Sequence, residues 1–137
     1  MKAIESLWNT GKHFLGTETS IIAGAMTWIS DSDFVAAVSE AGAFGCLAAG
    51  NMPPDTLGKE IRNLQSLTEK PYAVNLITIA PHYKEHLRVA LEAGVPYIVF
   101  AGSYPRRPEI KAAKEGGARV LSFASTETLA RRLIDMG

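Results

Sequence analysis

Apolar residues along this 137-residue chain fall into short unbroken runs that alternate with stretches of three- and four-residue spacing. Ile21-Ile22-Ala23-Gly24-Ala25-Met26 is apolar without alternation and too short for a membrane span, so it predicts a strand covered on both faces. Phe34, Ala37, Val38 and Ala41 then recur at helical spacing. Ser30 and Asp33 before them have the form of a capping box, and Gly42 closes the helix. Phe44 to Ala49 is a second apolar run, ending at Gly50. The order strand, turn, capped helix, strand is a complete βαβ unit.

The rest of the chain repeats it. Pro53-Pro54-Asp55 opens a helix whose stripe is Leu57, Ile61, Leu64 and Leu67, and Lys70-Pro71 ends it. Tyr72 to Ile77 is the third strand. Pro81 opens a helix carrying Leu87, Ala90 and Leu91 that stops at Gly94, followed by the strand Tyr97 to Phe100. A short helix from about Pro108, with Ile110 and Ala113, stops at Gly116-Gly117. The fifth strand runs from Arg119 through Val120 to Ala124, and Ser125-Thr126 caps a last helix with Leu129, Leu133 and Ile134. Strand starts at Ile21, Phe44, Tyr72, Tyr97 and Arg119 are 23, 28, 25 and 22 residues apart by subtraction. That spacing fits one strand, one helix and two short loops, so the fold class is α/β with five βα units. Residues 1–19 read as a leader segment packed on one end of the fold, and 20–137 as the repeating unit. Gly137 stands where Gly42, Gly94 and Gly116 stand, just after a helix, and the pattern predicts a further strand beyond it. Two architectures satisfy this: the N-terminal part of a TIM (βα)8 barrel, with strand order 1-2-3-4-5, or a flavodoxin-like open sheet, with order 2-1-3-4-5.

Composition narrows the partners. Fourteen basic and fourteen acidic residues cancel, with no run of one sign, which excludes a nucleic-acid groove and an anionic membrane surface. The expected partner is a small molecule. A single cysteine, Cys46, inside an apolar strand offers no disulfide framework and reads as a buried, inert thiol. The first nineteen residues carry Glu5, Lys12, His13 and Glu18 and lack the apolar centre of a signal peptide, so the cytoplasm is the expected compartment.

One side chain is out of character. Asn75 is an amide within the apolar third strand, and a buried amide needs partners for its oxygen and both hydrogens. Gly24 and Ala25 leave the carboxyl end of the first strand free of bulk, where parallel α/β folds place ligands. Other candidates are weaker. His82 and His86 are four apart on one helical face, without a third ligand, so a solvated pair is expected and no metal site. Arg106-Arg107 reads as a solvated loop pair. No serine lies in a Gly-x-Ser-x-Gly elbow, and Gly42-Ala43-Phe44-Gly45 follows a helix where a dinucleotide turn must follow a strand.

The strand ending Gly24-Ala25-Met26, the capped helix with Ala36-Ala37-Val38-Ser39-Glu40-Ala41-Gly42, then Phe44-Gly45 and Pro71-Tyr72-Ala73-Val74-Asn75, resemble the N-terminal part of the nitronate monooxygenases. That family, formerly called 2-nitropropane dioxygenases, includes flavin-dependent enoyl-acyl carrier protein reductases. The resemblance covers about Ile21 to Gly137. It implies a TIM barrel binding FMN at the carboxyl ends of its strands, with Ala25, Met26 and Thr27 against the isoalloxazine ring and the Asn75 amide on the ring's polar edge. The implied activity is FMN-dependent oxidation of small nitronates or nitroalkanes by oxygen, with enoyl reduction, or an inactive half-barrel, as alternatives. The family's catalytic His follows the sixth strand and its phosphate cup comes from the seventh and eighth units; the five units here have no counterpart, so no catalytic residue is assigned. Phe123 stands where some members carry Lys, and Ser20 where proline is usual. Open sheet edges predict homo-oligomerisation.

Overall fold

Each apolar run becomes a strand in the computed structural model, which describes residues 2–137. The strands are β1 (Ile22–Ala23), β2 (Phe44–Ala48), β3 (Tyr72–Ile77), β4 (Tyr97–Ala101) and β5 (Arg119–Ser122). All neighbours are parallel, and their order is β1-β2-β3-β4-β5. Each crossover therefore advances one position in the same direction, as in a segment of a barrel. This excludes the flavodoxin-like order, in which the second strand lies outside the first.

The helices between them are α2 (Ser32–Glu40), α3 (Pro54–Leu67), α4 (Tyr83–Glu92) and α5 (Arg107–Glu115), with α6 (Glu127–Met136) last. One face of the sheet, with Leu47, Val74, Leu76, Ile98 and Phe100, packs on Val35, Leu57, Ile61, Leu64, Ala90 and Ile110 of these helices. The opposite, concave face is narrower and made of Phe44, Cys46, Ala73, Tyr97 and Val99 around Leu15. Because both faces of β2 to β4 are apolar, those strands need no alternation.

Ahead of the sheet, α1 (Lys2–Leu15) occupies most of the predicted leader. Its C-terminal end is seated at the amino ends of β4 and β5: the Tyr97 hydroxyl donates to the Phe14 carbonyl at 2.7 Å, and the Arg119 guanidinium donates to the same oxygen. Phe14 also meets the Tyr97 ring edge-on, with centroids 6.1 Å apart.

Several boundaries differ from the sequence reading. The first strand is only two residues long and is not covered: Ile21 and Ile22 are each about half exposed, because β1 is the sheet edge and its concave side is open. The cap of α2 is Asp31, whose carboxylate accepts from Phe34 N, and not the Ser30–Asp33 box. Ser30 is buried and bonded elsewhere. Leu67, the last position of the α3 stripe, is exposed where the helix runs out past β2. The fourth helix starts at Tyr83 with His82 as its cap, two residues after Pro81. β5 ends at Ser122, leaving Phe123 outside the strand and exposed.

Candidate functional site

The carboxyl end of β1 runs into a turn that its own backbone holds. Met26 O accepts from Ile29 N at 3.1 Å and from Ser30 N at 2.9 Å. In return the Ser30 hydroxyl accepts from Met26 N at 2.9 Å. Ser30 O then accepts from Ala48 N at 3.0 Å, which fastens the turn to the end of β2. The buried Ser30 hydroxyl and the Met26 N–H thereby satisfy each other. In the sequence Ser30 opens the polar run Ser30-Asp31-Ser32-Asp33 and reads as a cap, so nothing there marks its bond back to Met26.

Of the four residues singled out as flavin contacts, two reach the concave face directly. Ala25 packs against the Phe44, Cys46 and Ala73 cluster. Asn75 alternates with Ala73 along β3 and so projects to the same side; it pairs in register with Ala48 of β2 and Val99 of β4. The residue is 9% exposed. Its main-chain oxygen accepts from Ala49 N, but its side-chain amide is bonded to none of the described residues, nor is it sealed off from the open space beside it. Met26 and Thr27 sit in the exposed turn. Since the Met26 N–H is already used by Ser30, that residue offers its side chain and the face of its peptide.

Ala25 and Asn75 share a shelf on this face, and its floor of Phe44, Cys46 and Ala73 carries no ionised group among the described residues. Burial pushes the Cys46 thiol from its ordinary 9.0 up to about 11, so it stays protonated at neutral pH. Small side chains keep the floor low: Ala48 is beside Asn75, and a Cβ on Gly24 would meet nothing within 4 Å.

The histidines divide. His82 is exposed and bonded through Nδ1 to Glu85 at 2.9 Å. His86, expected to be solvated with it, is fully buried, because α4 turns that face onto the sheet; its Nε2 donates to Met52 O at 2.8 Å and its Nδ1 has no partner. That bond ties α4 to the loop after β2. Among the described residues no three His, Cys, Asp or Glu side chains are placed to hold a metal. Arg106 is the N-cap of α5, its backbone N–H donating to Glu109 at 2.6 Å while the residue itself is exposed, and the Arg107 guanidinium donates to Asp135 O at 3.3 Å.

Among the described residues no helix is long and apolar enough to cross a membrane. Comparison with known proteins agrees with the strand order. Residues 9–137 match the nitronate monooxygenase family. A curated relative, (3aS,4S,5R,7aS)-5-hydroxy-7a-methyl-1-oxo-octahydro-1H-indene-4-carboxyl-CoA dehydrogenase of Mycobacterium tuberculosis, is 28% identical over 123 residues, which is 90% of this chain and 34% of that protein. FabK from Thermotoga maritima superposes with a TM-score of 0.89 at 34% identity, over 93% of this chain and 41% of that one. Nitroalkane oxidase from Streptomyces ansochromogenes follows at 0.84 and 26%, over 93% and 46%. The chain thus spans between a third and a half of the length of these relatives. Five parallel βα units in barrel order and a match running through nearly all of them place this chain in the nitronate monooxygenase family.

Proposed function

We propose that this chain carries the ring-binding side of an FMN-dependent oxidoreductase site that acts on small nitronates. The observation that carries it is the Asn75 amide, almost buried on the concave face and without a bond to the described protein. An amide in that state calls for an external partner with both donors and acceptors, and the polar edge of an isoalloxazine ring has both. The rest of the shelf fits a flat ring: Ala25 and Ala48 are small, and the Cys46 thiol beneath is uncharged.

FMN, when bound, supplies the two-electron chemistry. The chain's own residues bind and orient. Asn75 would fix the ring's polar edge, the turn stitched by Ser30 would hold Met26 and Thr27 at its side, and the apolar floor would exclude water from beneath. None of these side chains takes or gives a proton at neutral pH, so their part in the reaction is binding and orientation. The test is to titrate the chain with FMN and follow flavin absorbance and fluorescence. The expected result is a saturable spectral shift that Asn75→Leu weakens at least tenfold; an unchanged spectrum overturns the proposal.

A second reading within the family is flavin-dependent enoyl reduction, the other activity that the resemblance implies. Oxygen consumption with a nitronate, against nicotinamide-driven reduction of an enoyl thioester, separates the two. Self-association through the open edges of β1 and β5 forms part of the same proposal, and light scattering on the purified chain checks it.

A further inference from the structure

Beside the shelf, between the turn after β1 and the loop after β2, lies a cavity of about 240 Å³. Its walls are Trp28 and Ile29 from the first loop and Met52 and Pro53 from the second, and Ala48, the register partner of Asn75, also lines it. The far wall is fixed: Met52 O receives the His86 ring and Met52 N donates to Ala49 O at 3.0 Å.

Trp28 is the unusual member. It has φ of 68°, the one positive value outside glycine among the described residues, and the residue is 84% exposed. Left-handed backbone crowds the Cβ of any L-residue and is rare for a large one. An indole held there in water adds little to the fold, and such strain gathers where a ligand is met.

The charges lining the cavity decide what it accepts. Among the described residues no Lys, Arg or His lines it. Its two carboxylates are already engaged at the start of α2, Asp31 accepting from Phe34 N and Glu60 from Ser32 N, both at 2.9 Å. An anionic group would meet two negative charges and no positive one, whereas an uncharged apolar group would meet Trp28, Ile29, Met52 and Pro53.

We propose that this cavity is a binding niche for the uncharged, apolar part of a small-molecule substrate, with Trp28 as its outer wall and specificity-determining residue, directing the reactive end toward Ala48 and Asn75. A dry cavity of about 150 Å³ is enough for benzene, so the niche has room for an alkyl chain of about five carbons or one ring. The direction of the reactive end rests on the flavin-site reading; the niche itself does not.

The test needs no flavin. Methyl NMR signals of Ile29 and Met52 in the full chain are followed while pentan-1-ol is added, and separately pentanoate, which has the same chain length and a negative charge. Saturable shifts are expected with the alcohol and binding at least tenfold weaker with the acid. Trp28→Phe should keep the alcohol site. Trp28→Gly should lose it at least tenfold while its thermal midpoint stays level or rises, because glycine accepts this φ. Absence of saturable shifts in the parent chain, equal binding of acid and alcohol, or a lower midpoint for Trp28→Gly overturns the proposal. A chain that binds pentanol but leaves the FMN spectrum unchanged refutes the flavin reading alone, and the reverse result refutes the niche alone.

Discussion

Gly45→Ala is the sharpest perturbation of the part of the sheet that positions the turn. Gly45 lies in β2, paired with Ala23 of β1, on the face covered by α2. A Cβ there would be 2.8 Å from Val35 O, 2.9 Å from Val35 Cγ1 and 3.2 Å from Val35 Cα. Carbon contacts relax near about 3.5–4.0 Å, so α2 would have to retreat by about 0.6 Å or more. Two of the three clashes are with backbone, so a rotamer change cannot relieve them. A gap of that size forfeits about a quarter to a half of the dispersion well for the atoms it separates, and Val35 is fully buried. Overpacking of this kind costs about 1–3 kcal/mol, and removing a glycine from the unfolded chain returns about 0.5–1 kcal/mol, leaving a net loss centred on about 1.2 kcal/mol and at most about 2.5 kcal/mol. With a urea m-value of about 2 kcal/mol/M, the denaturation midpoint should fall by about 0.6 M, and at most about 1.2 M, at unchanged slope. Gly24→Ala is the control, since its Cβ would meet nothing within 4 Å. A Gly45→Ala midpoint at or above that of the parent would refute the claim that α2 is seated directly on this strand.

Cys46 gives a pH dependence. Its pKa is about 11 in the fold against its ordinary 9.0, so below pH 9 both states hold the proton and the group contributes no slope. Between about pH 9 and 11 the unfolded chain releases a proton that the fold retains, and stability should fall by about 1.4 kcal/mol per unit, or 2–3 kcal/mol in all. Urea melts across that range should lose this component of the slope in Cys46→Ala, and native chain should resist a thiol reagent at pH 8 that reacts on denaturation. Asn75→Leu should leave the urea midpoint unchanged or raise it, since an unpaired amide is replaced by an apolar group of similar size, while flavin uptake falls. A large loss of stability would show that the amide serves the fold. Tyr97→Phe removes one of the two donors to Phe14 O. It should destabilise by about 1 kcal/mol and speed amide exchange at the end of α1 before it affects the sheet, as hydrogen–deuterium exchange will report.

Much of this protein is legible in one dimension. The regular spacing of apolar runs, the prolines at Pro53-Pro54 and the glycines Gly42, Gly94 and Gly117 with positive φ mark five βα units, because each signal is a property of local backbone and one buried face. Asn75 was also visible, as a polar residue in an apolar strand. What the sequence could not carry is which neighbour each segment meets. Barrel order against flavodoxin-like order depends on long-range strand pairing that the two share locally. β1 proved exposed because coverage depends on position in the sheet, and an edge strand and a central one read alike. His82 and His86 occupy neighbouring positions on one helix, yet one is solvated and the other sealed against Met52 O, since a few tens of degrees around α4 separate water from core. The strained backbone at Trp28 leaves no mark in composition at all. Trp28 lies inside the turn that the Met26–Ser30 bonds close, and only the tertiary structure fastens that turn to β2, through Ala48 N and Ser30 O.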